Sequence, residues 1–188
     1  MSRIRTISIL FALTQFVGGV AFAQNNKPAP PVGSQPETTT ATFGAWTLRC
    51  ERRADVDKGQ KLCEIEESVV PKDQQNPIAH IGIVHPLNAE RGALRVNVIF
   101  PPNIFIPTPP GIRAKDGDPG VALVWQRCFS GGCFAEAAIP PAEIKAWRAV
   151  EADTGRITFT EAVGRNLAIQ FSLRGFAQAL DALEKVKS

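Results

Sequence analysis

Apolar and polar residues alternate along most of the chain from residue 43 onwards. The clearest stretch is 167–173, LAIQFSL, in which every second side chain is large and apolar. This two-residue period is typical of strands that bury one face. Residues 157–160 alternate in the same way, and the EAVGR that follows them contains Gly164, which suits a hairpin turn. The same pattern predicts further strands at 43–50, 62–70, 78–85, 94–100 and 121–126.

Two short stretches follow a helical period instead. The sequence Pro140–Glu143 favours a helix start, because proline is tolerated in the first turn and an acidic side chain is stabilised there. We expect this helix to end near Val150. In 175–187, GFAQALDALEKVK, an apolar stripe recurs at helical spacing and consists of Phe176, Ala179, Leu180 and Leu183. The stripe predicts a C-terminal helix that covers a sheet edge or the open end of a sandwich, rather than one that binds a membrane.

Residues 100–111, FPPNIFIPTPPG, interrupt the strand pattern with five prolines. Proline lacks a backbone donor and restricts φ, so this segment cannot be a central strand. We expect a stiff, extended crossing between sheets that is anchored by its apolar residues. A second interpretation is a partner-binding edge, because a pre-ordered apolar strip loses little entropy on binding. The candidate contact residues are Asn103, Ile104, Phe105 and Ile106.

Short strands separated by Gly, Pro and Asp turns indicate a mainly β fold. The predicted architecture is an antiparallel immunoglobulin-like β-sandwich with two short helices, one at the C-terminus. We expect a single β-sandwich domain over residues 43–188. A domain of this length can bury roughly two-thirds of the surface of its unfolded chain.

The N-terminal residues have a different composition. Residues 1–23 combine Arg3 and Arg5, a mostly apolar stretch and an A-x-A cleavage sequence ending at Ala23, which is the pattern of a secretory signal peptide. A transmembrane anchor is less consistent with this stretch, because the apolar run is short and interrupted by polar residues and glycine. Residues 24–42 are rich in proline and threonine and carry few large apolar side chains, so we expect a disordered tether.

The charge of the chain bears on its partners. Removal of Arg3 and Arg5 with the signal peptide takes two from the 21 basic residues, against 18 acidic ones, and lowers the formal charge from +3 to +1. No run of basic residues indicates a nucleic-acid surface, and an exported protein rarely meets nucleic acid. We therefore expect no nucleic-acid partner, and no transmembrane segment in the mature chain.

The four cysteines bear on both compartment and fold. In an exported chain they favour structural disulfides over a metal site or a redox pair. The twelve residues between Cys50 and Cys63 exceed the spacing of the ligand pairs in structural zinc sites. The sequence CFSGGC also differs from the C-x-x-C that starts a helix in thioredoxin-like redox proteins.

The strand pattern helps to choose among the three possible pairings. Cys50 and Cys63 fall on core-facing positions of neighbouring predicted strands, joined by a charged loop, which favours a bond between them. Cys128 and Cys133 would then close a small loop in which Gly131–Gly132 supplies unusual backbone angles. The glycine tip of this loop is a second candidate contact surface.

Residues suited to catalysis are few. The chain has no tyrosine, and its histidines, His80 and His85, fall on opposite faces of one predicted strand. Common nucleophile, phosphate-loop and metal-ligand motifs are missing from the sequence. Asp116–Gly120, DGDPG, resembles part of a calcium loop but lacks the downstream glutamate, so it predicts a turn. We expect no enzymatic activity, no cofactor and no metal site.

Five stretches together resemble the invasion-associated locus B family of exported alphaproteobacterial proteins. They span most of the predicted domain and are FGAWTLRCE (43–51), CEI (63–65), FPPNIFIPTPPGIR (100–113), RCFSGGCFAE (127–136) and GRNLAIQFSLRGFAQALDAL (164–183). The proline segment followed by RC and GGC is the most specific part. One departure is Ala45, where the family often has an acidic residue.

The resemblance implies a small β-sandwich domain, an envelope or secreted location and, for the family's namesake, a role in entry into host cells. It implies no catalytic residues. We therefore expect an exported, non-enzymatic binding or envelope factor that is periplasmic, secreted or associated with the outer membrane. Its expected partner is an unknown envelope or host-surface protein. The alternatives are a periplasmic small-ligand carrier and an envelope-stress or maintenance protein, and the oligomeric state stays open.

Overall fold

The computed structural model describes four stretches of the chain, residues 37–52, 61–86, 92–149 and 154–186. The predicted signal peptide and residues 24–36 of the predicted tether lie outside them. The described stretches form, in chain order, β1 (Thr38–Phe43), β2 (Trp46–Arg52), β3 (Lys61–Val69), β4 (Ala79–Val84), β5 (Arg95–Phe100), β6 (Gly111–Arg113), β7 (Val121–Ala122), β8 (Val124–Phe129), β9 (Gly132–Ala138), α1 (Pro141–Ala149), β10 (Thr154–Thr160), β11 (Asn166–Ser172) and α2 (Phe176–Lys185).

Seven strands form a large antiparallel sheet in the order β1-β2-β3-β4-β5-β9-β8. The strands β1 to β5 are neighbours in chain order, and the β8–β9 hairpin joins the sheet through pairing of β9 with β5. In β5 the alternating residues Val96, Val98 and Phe100 are buried, while the residues between them are half-buried. The large sheet therefore has one apolar inner face, as the alternation predicts.

Four strands form a small antiparallel sheet in the order β11-β10-β6-β7. The β10–β11 hairpin has Gly164 in its turn with φ 82°, in agreement with the predicted turn. Ile157, Phe159 and Phe171 of this hairpin are buried. The two sheets share one core, since the ring of Phe159 lies 5.3 Å from that of Phe100 in the large sheet.

Both predicted helices are present. The apolar stripe of α2 is buried, and α2 contacts β1, β2 and β3, so the helix covers the large sheet near its β1 edge. In α1 the buried Trp147 lies 5.8 Å from Phe176 of α2, and Arg148 forms ion pairs with Asp181 and Glu184. The mainly β prediction with two helices, one of them C-terminal, is therefore confirmed, whereas the immunoglobulin-like topology stays a prediction.

The prediction of one strand over 121–126 is wrong. The first two of these residues form β7 in the small sheet, and β8 begins at Val124 in the large sheet. The chain changes sheets at Leu123, whose N–H donates to the Pro110 carbonyl at 2.8 Å. The alternation continues through this change because Val121 and Leu123 both point into the shared core. A two-residue period identifies side chains that face the core and does not identify the sheet.

The predicted strand 43–50 is divided by a turn at Gly44–Ala45. The Ala45 N–H donates to the Arg174 carbonyl at 3.0 Å, which attaches this turn to the start of α2. Gly175 has φ 88°, and a Cβ there would lie 1.9 Å from the Phe43 carbonyl oxygen. Glycine is therefore required at this position, where two backbone segments from distant parts of the chain meet.

The prediction of a disordered tether is wrong for residues 38–42, which belong to β1. They pair in register with β2, from Thr38 opposite Glu51 to Thr42 opposite Thr47. Threonine suits a pleated, half-exposed strand, and pairing with β2 supplies the backbone hydrogen bonds that composition alone does not reveal.

Candidate interaction surface

The proline segment is attached to the small sheet by its backbone. The Phe105 N–H donates to the Thr160 carbonyl at 2.8 Å, and the Ala162 N–H donates to the Asn103 carbonyl at 3.2 Å. Ile104 lies between these bonds and is only 9% exposed. The segment therefore pairs with the chain at the end of β10, and the side chain of Ile104 is buried in the core.

A turn follows at once. The Thr108 N–H donates to the Phe105 carbonyl at 3.3 Å, which places Ile106 and Pro107 at the tip of the turn. Phe105 is 43% exposed and Ile106 is 45% exposed. We call Phe105, Ile106 and Pro107 the apolar strip. The segment is thus extended only as far as Phe105, and the expectation of an extended crossing is wrong beyond it.

The end of the turn is held from the large sheet. The indole Nε1 of Trp125 donates to the Thr108 carbonyl at 3.0 Å, and its ring lies 5.1 Å from that of Phe100. The Leu123 N–H donates to the Pro110 carbonyl a few residues later. The apolar strip is therefore fastened on one side to β10 and on the other to the chain around β8.

An open groove of about 350 Å³ lies beside the strip. Its walls are Thr108 and Pro109 of the proline segment together with 158–160 of β10 and 166–168 of β11. Inside it the Thr160 hydroxyl donates to the Asn166 side-chain oxygen at 2.8 Å. The groove combines hydroxyl and amide groups with apolar walls and was not predicted, because its two sides come from separate parts of the chain.

The hairpin turn that borders the strip carries both charge and an apolar tip. Glu161 and Arg165 form an ion pair across it at 2.6 Å, and the hydrogen bond from the arginine raises the pKa of Arg165 above its ordinary value. Val163 at the tip is 80% exposed. The surface next to the apolar strip therefore has no net charge from this pair.

The second candidate surface, the tip of the β8–β9 hairpin, contains one exposed and one buried glycine. Gly131 is exposed, with the ring of Phe129 close above it, whereas Gly132 is buried. A Cβ on Gly132 would lie 2.2 Å from the Phe100 carbonyl oxygen, so this glycine is needed for packing against β5. At this tip Gly131, Ser130 and Phe129, which is 46% exposed, are available to a partner.

Each disulfide joins neighbouring strands. Cys50 on β2 is bonded to Cys63 on β3, and Cys128 on β8 is bonded to Cys133 on β9, which is the pairing that the strand pattern favoured. In each pair, the two cysteines lie directly opposite each other on the neighbouring strands. The described residues contain no unpaired cysteine. Each bond links the two strands of its own pair, and the two bonds do not form a single site.

One polar pair was missed by the sequence analysis. Ser68 and His80 are opposite each other on β3 and β4, and the Ser68 Oγ lies 3.1 Å from the His80 Nδ1. Both side chains are exposed on the outer face of the large sheet. Their strand parity was visible in the sequence, but the register of the two strands was not.

Two properties of the described stretches bear on the nature of the surface. Their helices are too short or too polar to cross a membrane. They also hold no group of three or more His, Cys, Asp or Glu side chains that is placed to bind a metal ion.

The fold and the surface define a class: a two-sheet β protein, with disulfides across neighbouring strands, that presents an immobilised apolar strip. The chain belongs to the Invasion associated locus B (IalB) protein family, whose family model matches residues 46–184. It is similar to the crystal structure of invasion associated protein b from Bartonella henselae, with a TM-score of 0.65 and 22% identity over 77% of this chain and 94% of that chain. At this identity the likeness shows the fold. The comparison with curated proteins found no match.

Proposed function

We propose that this chain is an exported, non-enzymatic binding or envelope factor whose apolar strip contacts a protein partner. The observation that carries the proposal is the exposure of Phe105 and Ile106, 43% and 45%, on a turn that hydrogen bonds hold at both ends. Large apolar side chains in an ordered turn can be buried by a partner with little loss of conformational entropy. The strip is therefore a better docking surface than a mobile loop of the same composition.

Location and context are part of the same proposal. The signal-peptide pattern of residues 1–23 and the two disulfides support a periplasmic, secreted or outer-membrane-associated protein. The related Bartonella protein is described as invasion associated, which supports an envelope or host-surface protein as the partner. A non-enzymatic role is supported by the lack of common nucleophile, phosphate-loop and metal-ligand motifs in the sequence.

The test replaces both exposed residues of the strip. In cells that produce the full chain, the double variant Phe105→Ser with Ile106→Ser should lose the cross-linked adduct that the unaltered protein forms in the envelope fraction. The adduct is identified by mass spectrometry after chemical cross-linking. Ile104 is left unchanged because it is buried and its loss would test stability.

Val70→Ser is the matched control, since Val70 is 48% exposed, follows β3 and is not part of the apolar strip. This variant should keep the adduct. The melting temperatures of both variants should stay within a few degrees of the unaltered protein, because exposed substitutions rarely change stability by much. An adduct that survives the double substitution, or a double variant that unfolds, contradicts the proposed role of the strip.

The groove beside the strip favours a second candidate, a periplasmic small-ligand carrier. Its volume of about 350 Å³ falls within the usual range for small-molecule sites. Native mass spectrometry of freshly purified protein should then show a bound mass that is lost when Ala168 in the groove wall is replaced by Trp. An envelope-stress or maintenance protein, by contrast, would give an envelope defect on deletion without any bound mass.

A further inference from the structure

One residue of β11 is held at both of its backbone groups by side chains of the large sheet. The Ser172 carbonyl accepts a hydrogen bond from the Trp46 Nε1 at 2.8 Å. The Ser172 N–H donates to the Glu67 Oε1 at 2.7 Å. Trp46 and Glu67 lie on neighbouring strands, β2 and β3, and both are buried. The two side chains together fasten the end of β11 to the large sheet.

The Glu67 carboxylate lies in apolar surroundings. It is 7% exposed, and its Oε2 is buried without a hydrogen-bond partner among the described residues. The residues that its packing neighbours β2, β4, β11 and α2 bury in this core are apolar, and they include Trp46, Ile81, Phe171, Phe176 and Leu180.

Charged groups on the same elements point elsewhere. On β2, β4 and α2 they lie at exposed or half-exposed positions, and the described part of β11 carries none. On β3 itself, Glu64 and Glu66 occupy the alternate positions, which face outward, and Lys61 lies at the far end of the strand, six residues before Glu67. The charged and titratable residues of the neighbouring elements are Arg49, Glu51, Arg52, His80, Asp181, Glu184 and Lys185, with Arg174 just after β11. Glu67 therefore has no cation beside it to stabilise its charged form.

Protonation changes this contact in a defined way. An ionised carboxylate leaves a negative Oε2 buried and unsatisfied, which is costly in a low-dielectric core. A neutral carboxyl with its proton on Oε2 removes that charge, while Oε1 still accepts the Ser172 N–H. Burial accordingly raises the pKa of Glu67 to about 7 from its ordinary value of 4.5, and the hydrogen bond from Ser172 opposes this only in part.

We propose that Glu67 is a proton-operated latch between the two sheets: its contact with Ser172 stabilises the fold most when the carboxyl is neutral, because the neutral group leaves no unpaired charge in the core. The folded protein keeps a proton in a pH range in which the unfolded chain has released it. The stabilisation is therefore fully present below about pH 4.5 and is lost as the pH rises through about 7. This is the opposite of the behaviour of a carboxylate held by a salt bridge. The inference does not depend on the proposed function, since the apolar strip lies at the other end of the β10–β11 hairpin.

The first test compares pH profiles of stability. Urea unfolding of the unaltered protein, Glu67→Gln and Glu66→Gln is measured from pH 5 to 8.5. Between these limits the unfolding equilibrium constant of the unaltered protein should rise by on the order of 100-fold more than that of Glu67→Gln. Glu66→Gln, from the outward position next along β3, should change the profile far less than Glu67→Gln, because burial is the larger cause of the raised pKa of Glu64 and the charge of Glu66 the smaller one. Equal pH profiles for the unaltered protein and Glu67→Gln would overturn the proposal.

A second measurement needs no variant. The Ser172 amide resonance should titrate with a midpoint near pH 7, because its acceptor changes charge. The Gln170 amide is the control, since Gln170 lies two residues earlier on β11 and pairs with β10. A Ser172 amide that does not titrate between pH 5.5 and 8.5, or one that shifts no more than the Gln170 amide, would also reject the latch, even if Glu67→Gln does not fold.

Discussion

At the scale of single residues, Ser172 and the residues that follow it, Arg174 and Gly175, connect parts of the fold that are far apart in the chain. Both backbone groups of Ser172 are bonded to side chains of the large sheet, and its hydroxyl accepts from the Arg174 N–H at 3.2 Å. The backbone of Arg174 and Gly175 then contacts the turn at Gly44–Ala45. The start of α2 is therefore positioned by backbone contacts as well as by its buried stripe.

Gly175→Ala should destabilise the protein strongly. The residue has φ 88°, and an added Cβ would collide with the Phe43 carbonyl group. Strain of this kind and the displaced turn together should cost roughly 3 kcal/mol of the free energy of unfolding in urea. The matched control is Gly164→Ala, where φ is 82° and nothing lies within 4 Å of the new Cβ, so the cost should be about 1 kcal/mol. Equal losses for the two variants would show that the close approach to Phe43 has no energetic weight.

Burial of Glu67 could have been predicted from the sequence. It shares strand parity with Ile65 and Val69, whose burial the alternation indicates. It was missed because glutamate is rarely buried unless it is paired, and its partner is a backbone N–H more than a hundred residues away. Local patterns identify the inward position and cannot show what satisfies the side chain there.

At the scale of elements, the alternation predicted β2 to β5, β10 and β11, and the apolar stripe predicted α2, because both depend on local burial. The alternation did not predict β1, β6 or β9. The pattern failed where backbone geometry intervened, at the turn that divides 43–50 and at the sheet change within 121–126. In the proline segment, composition predicted a rigid crossing but not which apolar residues face solvent. Ile104 is buried while its neighbours Phe105 and Ile106 are exposed, since backbone pairing with β10 and the following turn set their directions.

The two disulfides should differ in their contribution to stability. The Cys50–Cys63 bond closes a loop with sequence separation 13, and the Cys128–Cys133 bond closes one with separation 5. Loop entropy therefore predicts a loss of about 3 kcal/mol for the double variant Cys50→Ala with Cys63→Ala, and about 2 kcal/mol for Cys128→Ala with Cys133→Ala. Urea unfolding of both variants measures the difference. A larger loss for the second pair would mean that the β8–β9 hairpin carries more of the fold than its loop length indicates.

At the scale of the whole molecule, export and oxidation are linked predictions. If residues 1–23 are removed in the envelope, the intact mass of the purified protein should correspond to a chain that begins at Gln24. The same sample should show no free thiol before reduction, and non-reduced peptides should link Cys50 to Cys63. Cytoplasmic production without the first 23 residues is the control and should leave the thiols reduced. A mature chain that retains Arg3 and Arg5 would contradict the signal-peptide prediction.

The hydrogen bonds that join Trp46 and Glu67 to Ser172 also determine when this protein can complete its folding. Trp46 and Ser172 are 126 residues apart, so the first strands of the large sheet gain a central contact only after β11 has formed. A chain whose N-terminal part leaves a membrane pore first would expose the inner face of β2 and β3 to solvent throughout that interval. Contacts of such long range make folding slow, typically milliseconds to seconds, and leave strand edges open to wrong pairing. The interval before β11 arrives is therefore when an assisting chaperone would have most effect on the yield of native protein.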